Sequence, residues 1–399
     1  MTCRAALALI AGGVGGVACA QHQGVRFRDG TSGMLPTGFG SSRTMDVEVA
    51  DVTGDGLLDI VIAGEFAPNA VLASEPTSGV IASENGRHGA FLGFAAHDSE
   101  DIAIADFNGD GRLDIVYVSE DDVQDELHLG VREEDSGRPA WRAAHGRMIG
   151  EQESNCVLAH DIDGDGDPDL ILGGRGPALV MLNDGSANFE VAEGWIPADD
   201  RTTQDMELGD VDGDGDLDLI VANEDGNRLL INNGSGVFTD ETEGRLPTEG
   251  ANEETREADF GDVDGDGDLD LFFANVGWRP GMNPQNRLLI NNGEGVFTDE
   301  SSARLPGGQP LTWTTLDADF ADLEGDGDLD LVLGNTNGQP VQLWLNDGSG
   351  KYADMTVARI PTPAPFAVID IEVADFNGDG KLDIYASNAA GADRVFVQD

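Results

Sequence analysis

The chain has 399 residues and carries 76 acidic against 22 basic side chains, a formal charge of −54. That balance argues against nucleic-acid and anionic-membrane partners, both of which need a basic surface. With 40% hydrophobic residues the chain can bury a core and is not disordered by composition.

Residues 1–20 read MTCRAALALIAGGVGGVACA. Arg4 precedes an apolar run at 5–17, and Ala18-Cys19-Ala20 forms a small-residue cleavage signature. This predicts a secretory signal peptide over 1–20, too short and too rich in small residues for a stable membrane span. The mature chain, 21–399, is therefore expected outside the cell or at its surface, with the periplasm as an alternative. Acylation at Cys19 ranks second, because Gly16 stands where a larger aliphatic residue is usual. After cleavage only Cys156 remains, so no internal disulfide is available. No later segment is long and apolar enough to span a bilayer.

Seven copies of a loop D-x-[D/N/T/E]-G-D-G-x-x-D follow, starting at Asp51, Asp106, Asp161, Asp210, Asp262, Asp322 and Asp375. A spacing near fifty residues suits a four-stranded propeller blade better than a helical repeat. Alternating stretches precede the loops (MDVEVADV, DMELGDV, DIEVADF) and apolar runs follow them (LDIVIAG, LDLIVAN, LDIYASN). Both patterns predict strands. A third strand is clearest at 227–234 and 286–293, and a fourth opens at 236–241 and 295–300. The fold class expected is all-β: a seven-bladed β-propeller with four-stranded blades. The seventh blade lacks an outer strand. VRFRDGTSGMLP at 25–36 resembles GVFTDETEGRLP at 236–247, so residues 25–36 are predicted to complete blade 7 and close the ring.

The loops hold 29 of the 76 carboxylates, so much of the charge is concentrated. In the fourth copy Asp210, Asp212 and Asp214 can project carboxylates around one point, Asp216 can offer its carbonyl, and Asp218 can close the site. Six or seven oxygens at this spacing suit calcium; magnesium, with its stricter octahedron, is second. No His or Cys is interleaved, which argues against zinc or copper. One copy alone would read as an Asp-Gly turn. Seven do not, because two carboxylates ~6 Å apart repel by roughly 0.7 kcal/mol at ε ~80 and about 3 kcal/mol at ε ~20. An EF-hand fails, since its closing Glu at position 12 is replaced by Val221 inside a strand.

These loops and flanks resemble the FG-GAP/VCBS-repeat family, which includes the seven-bladed propeller of integrin α subunits. The resemblance covers essentially all of the mature chain. It implies up to seven Ca2+ sites in loops joining the first and second strands of each blade. The side-chain ligands implied are Asp51, Thr53, Asp55 and Asp59; Asp106, Asn108, Asp110 and Asp114; Asp161, Asp163, Asp165 and Asp169; and Asp210, Asp212, Asp214 and Asp218. Those in the remaining loops are Asp262, Asp264, Asp266 and Asp270; Asp322, Glu324, Asp326 and Asp330; and Asp375, Asn377, Asp379 and Asp383. Carbonyl ligands are implied at Leu57, Arg112, Asp167, Asp216, Asp268, Asp328 and Lys381. The third, fourth and fifth loops are expected to bind most tightly and the first, with Thr53, most weakly. The Phe-Gly and Gly-Ala-Pro signatures are absent as such, which points to the bacterial-style VCBS variant.

With the aspartates assigned to metal, recognition is expected on the opposite face. The loop NVGWRPGMNPQN carries Trp278 and Arg279, and GGQPLTW carries Trp313; together they suggest a glycan- or protein-binding rim. Trp141, Trp195 and Trp344 read as packing residues. None of His22, His88, His97, His128, His145 and His160 sits in a nucleophile or zinc motif. The function expected is a secreted, monomeric, non-catalytic adhesion or recognition module for protein or glycan. A lectin with sugar pockets between blades and a calcium-dependent polysaccharide lyase are the alternatives.

Overall fold

The computed structural model describes residues 25–35, 43–74, 89–91, 97–120, 125–133, 139–144, 152–247, 252–307, 314–336, 338–361, 367–388 and 391–399. The expected signal peptide and Trp313 lie outside the described residues. Those described form an all-β protein of mostly antiparallel four-stranded sheets, consistent with a propeller.

Each metal-type loop follows the first strand of a repeat, and the repeats are numbered here 1–7. Repeat 4 shows the plan: strands Thr203–Gly209, Asp218–Asn223, Arg228–Asn232 and Phe238–Asp240 pair in that order as a meander. Repeats 3, 5 and 6 form separate sheets of the same order, beginning at Ser154–His160, Glu254–Gly261 and Thr315–Ala321. Repeats 1 and 2, beginning at Arg43–Ala50 and His97–Ala105, are joined into one eight-stranded sheet through Glu65↔Asp98 and Ala67↔His97. Repeat 7 supplies Ile371–Ala374, Asp383–Ala386 and Arg394–Gln398, and Phe27–Asp29 pairs with the last of these in the register Phe27↔Gln398. A one-turn helix follows Phe27–Asp29 at Thr31–Met34, as Ser301–Arg304 follows the fourth strand of repeat 5.

The hydrophobic layers lie between consecutive sheets. Val211, Ile220 and Leu229 of repeat 4 pack on Phe260, Phe273 and Leu289 of repeat 5. Val47 and Ile60 of repeat 1 pack with Met34 and with Phe376, Tyr385 and Val395 of repeat 7. A sheet covered on both faces needs second strands that are apolar on both sides, which is why LDLIVAN and its counterparts do not alternate. Asp218–Asn223 and its equivalents in repeats 2, 3, 5 and 6 are buried throughout.

Outside repeat 2, each first strand leaves one edge without a strand partner among the described residues. Acidic side chains of first strands supply acceptors for the neighbour's free N–H groups. Asp101 accepts from Val157 N at 2.7 Å, Asp205 from Ala258 N at 3.0 Å, Glu207 from Phe260 N at 2.6 Å and Asp259 from Phe320 N at 3.0 Å. These carboxylates hold one sheet to the next.

Candidate metal centres and recognition face

In each loop the glycines at the fourth and sixth positions adopt positive φ, 74° at Gly213 and 94° at Gly215, so the backbone folds around the first aspartate. Asp210 accepts from Gly213 N at 2.9 Å and Gly215 N at 3.1 Å. Asp214, by contrast, turns outward and accepts from Asp216 N at 3.0 Å.

The ninth residue is buried. Asp218 Oδ2 accepts from Val211 N at 3.2 Å, and its Oδ1 accepts from Asn232 N in the third strand at 2.8 Å. The same double tie recurs at Asp169, Asp270 and Asp114. Burial, reinforced by repulsion from other carboxylates of the loop, pushes the ninth aspartates up. Asp114, Asp218, Asp270 and Asp330 reach about 7, and Asp59, Asp169 and Asp383 about 6.

Three loops bring carboxylates together. In Asp161–Asp163–Asp169, Asp210–Asp212–Asp218 and Asp262–Asp264–Asp270 one oxygen from each residue lies within 4.8 Å of the others. The fifth-position residues Asp165, Asp214 and Asp266, expected among the ligands, are not members of these triads; each instead closes a local turn with the N–H two residues on. In loops 2 and 7 the amides of Asn108 and Asn377 donate to Asp114 and Asp383 at 3.0 and 2.8 Å. Arg112, expected to contribute only a carbonyl, also places its guanidinium against Asp110 and Gly130 O.

The triads fit a hard cation. Every donor is oxygen, and the buried Asp212 Oδ1 and Asp264 Oδ1 have no hydrogen-bond partner. They could hold a metal ion.

The second-to-third-strand connections, at the other end of the sheets, border a cavity of about 490 Å3. Twelve carboxylate side chains and one cation, Arg256, line it. In repeats 1–6 the first strand is bulged between its seventh-last and fifth-last residues before the loop, leaving Met45, Glu100, Asn155, Gln204, Arg256 and Leu316 out of register. All six line the cavity. A bulge re-aims a side chain, and here it supplies one chemically different residue per repeat.

Trp278 is 51% exposed and Phe66, held at φ 52°, is 55% exposed; both border this cavity. Trp278 and Arg279, neighbours in sequence, turn to different partners. Arg279 is drawn to Glu254 at 3.3 Å, with Glu224 and Asp225 near 3.9 and 3.8 Å. Arg256 lies over Trp278, its guanidinium carbon 4.4 Å from the ring centre. Sequence reasoning missed Arg256 and Phe66, because neither belongs to the repeated pattern and only the folded structure brings them to the cavity. Trp344 is fully buried and Trp141 and Trp195 partly so, in keeping with packing roles, while buried Cys156 has its thiol pushed well up by desolvation. Among the described residues no helix is long and apolar enough to cross a membrane.

Comparison with known proteins agrees with the fold. Cartilage acidic protein 1 from Xenopus tropicalis and from Mus musculus is 31% identical over 121 residues, a stretch that is 29% of this chain and 18% of each relative. The structure of BBS1N in complex with ARL6DN superposes with a TM-score of 0.54 at 14% identity, covering 94% of this chain and 97% of that one. The extracellular domain of BT4673 from B. thetaiotaomicron superposes with a TM-score of 0.54 at 11% identity, covering 94% of this chain and 40% of that one. The FG-GAP-like repeat profile matches four times, over 161–221, 210–273, 262–333 and 322–386. These matches span more than half of the sequence, and with the repeated loops and four-stranded sheets they place the chain in the FG-GAP-like repeat family.

Proposed function

We propose that this chain is a secreted, calcium-binding, seven-bladed β-propeller that acts as a non-catalytic recognition module. Seven loops of one pattern, hydrophobic layers between successive repeats and between repeats 7 and 1, and the pairing of Phe27–Asp29 with Arg394–Gln398 support a ring closed by the N-terminal strand. Calcium is favoured by the all-oxygen triads. Its task is to tie the sheets at one end, which leaves the other end for recognition.

The observation that carries the reading is the ring of bulge residues around an acid-lined cavity, with Trp278 and Phe66 exposed at its border. Positions that differ in every repeat are not needed to build the repeat. Exposed aromatic rings beside a polar cavity suit a protein or glycan ligand, and the acidic lining favours one presenting a cationic group. A protein ligand is the first reading; propellers of this shape do serve such a role, BBS1N having been solved in complex with ARL6DN. Glycan binding is the second, carried by the exposed half of the Trp278 ring.

Capture from extracellular medium with the wild-type protein and with Trp278→Ala and Phe66→Ala variants tests this. Retained protein that is lost with either variant supports the first reading, and Trp278-dependent signals on a glycan array support the second. Depolymerisation of a polysaccharide, seen as falling viscosity, would replace both with an enzyme.

A further inference from the structure

Two arginines outside every expected site donate to the third-position carboxylates of metal-type loops. Arg245, at the end of the turn Thr242–Arg245 after the fourth strand of repeat 4, makes three contacts. Its Nε donates to Glu241 at 2.7 Å, Nη2 to Asp212 Oδ2 at 3.2 Å, and Nη1 to Glu294 O at 2.6 Å. Asp212 is the third residue of loop 4, whereas Glu294 lies in the turn between the third and fourth strands of repeat 5. Arg304 repeats the pattern one sheet on. Its Nε donates to Glu300 at 2.6 Å, Nη2 to Asp264 Oδ2 at 3.1 Å, and Nη1 to Ser349 O in repeat 6.

The receiving turns are built around the guanidinium. Gly295 and Gly350 have positive φ, and a Cβ on either would collide with Nη1 of Arg245 or Arg304. In repeat 3 Trp195 stands at the corresponding place, against Ile162 and Gly236. Asp163 of loop 3 is correspondingly exposed, while Asp212 and Asp264 are half-buried. Loops 3, 4 and 5 share one ligand pattern but not this contact.

We infer that Arg245 and Arg304 are positioning residues for the metal sites of loops 4 and 5, each fixing the third-position carboxylate by one oxygen and linking the loop to the next sheet. The inference rests on the calcium reading above. A carboxylate held through Oδ2 has its rotamer set, and Oδ1, buried and without a hydrogen-bond partner, is left for the ion. The guanidinium also offsets one unit of the negative charge that attracts the ion. Five carboxylates surround each of these loops, so negative charge remains in excess of a divalent ion and preorganisation outweighs that loss. Filling loop 4 should then stiffen the turn at 292–296, because Arg245 joins the two.

The test is calcium titration by calorimetry of the full chain, with hydrogen exchange at the 292–296 turn. Arg245→Gln is expected to weaken one site by about tenfold, and Arg245→Lys by less. The effect of Arg245→Gln should vanish when Asp210→Asn has already disabled loop 4, which a purely structural role would not produce. Calcium should slow exchange at 292–296 in the wild type and not in Arg245→Gln. Calcium uptake by the wild type with an unchanged Arg245→Gln titration overturns this inference alone. No uptake by the wild type overturns the calcium reading with it. Should Arg245→Gln fail to fold, Arg245→Lys and the corresponding Arg304→Lys carry the same comparison.

Discussion

Thr44 Oγ1 donates a 2.9 Å hydrogen bond to Asp393 Oδ2 across 349 residues of sequence, tying the first strand of repeat 1 to repeat 7. The same oxygen accepts from Tyr385 OH at 2.7 Å, and Asp393 Oδ1 accepts from Asn388 N at 2.9 Å. Burial pushes the Asp393 carboxyl up to about 6 despite these donors. An unfolded aspartate titrates near 3.9. Between about pH 4 and pH 6 the folded chain therefore holds a proton that the unfolded chain has released, so this group's contribution to stability falls as pH rises and is level above that window. Asp393→Asn removes the titration. Denaturant melts should show the variant gaining on the wild type by up to about 3 kcal/mol between pH 4 and pH 7. A difference that ignores pH would contradict the assignment.

Phe27 is 5% exposed and packs in the layer between repeats 6 and 7, with Leu345, Ile384 and Phe396. If the N-terminal strand completes repeat 7, Phe27→Ala should cost about 3–5 kcal/mol in equilibrium unfolding. A loss within about 0.5 kcal/mol, the usual range for a surface change, would mean that this strand is dispensable.

Two aspartates of loop 4 should separate metal binding from architecture. Asp212 is a triad member whose buried Oδ1 has no hydrogen-bond partner, so Asp212→Asn should weaken calcium binding and change stability in excess chelator little. Asp218→Ala strips the partners from Val211 N and Asn232 N, and should cost about 2–4 kcal/mol even in chelator. Melts with and without chelator provide the comparison, and equal losses in chelator would refute the division of roles.

With Cys156 free and no disulfide among the described residues, the ions are expected to act as staples. A site filled at 100 times its dissociation constant adds about 2.7 kcal/mol. Calorimetric melts should therefore move to markedly lower temperature on chelation and recover on adding calcium rather than magnesium. A melt unchanged in excess chelator would leave the loops as turns without a metal task.

The repeat was legible because it is written in local chemistry. A Gly at positive φ beside Asp, an alternating strand before it and an apolar strand after it are each set within nine to twenty residues, and all three recur. The pairing of Phe27–Asp29 with Arg394–Gln398 was also readable, since the N-terminal segment copies a fourth strand. Other features depend on which residues meet across sheets. The sequence determined where carboxylates could gather, and the folded loop excludes Asp214 from the triad because it is spent on its own turn, but only the tertiary structure decided that Arg245 holds Asp212 and ties loop 4 to the next sheet. Likewise Arg256 reaches Trp278 only because a bulge takes it out of register and turns it to the cavity. Periodicity specifies the strand and its face, whereas a one-residue slip in pairing reverses that face, and only the packed neighbours fix where the slip occurs.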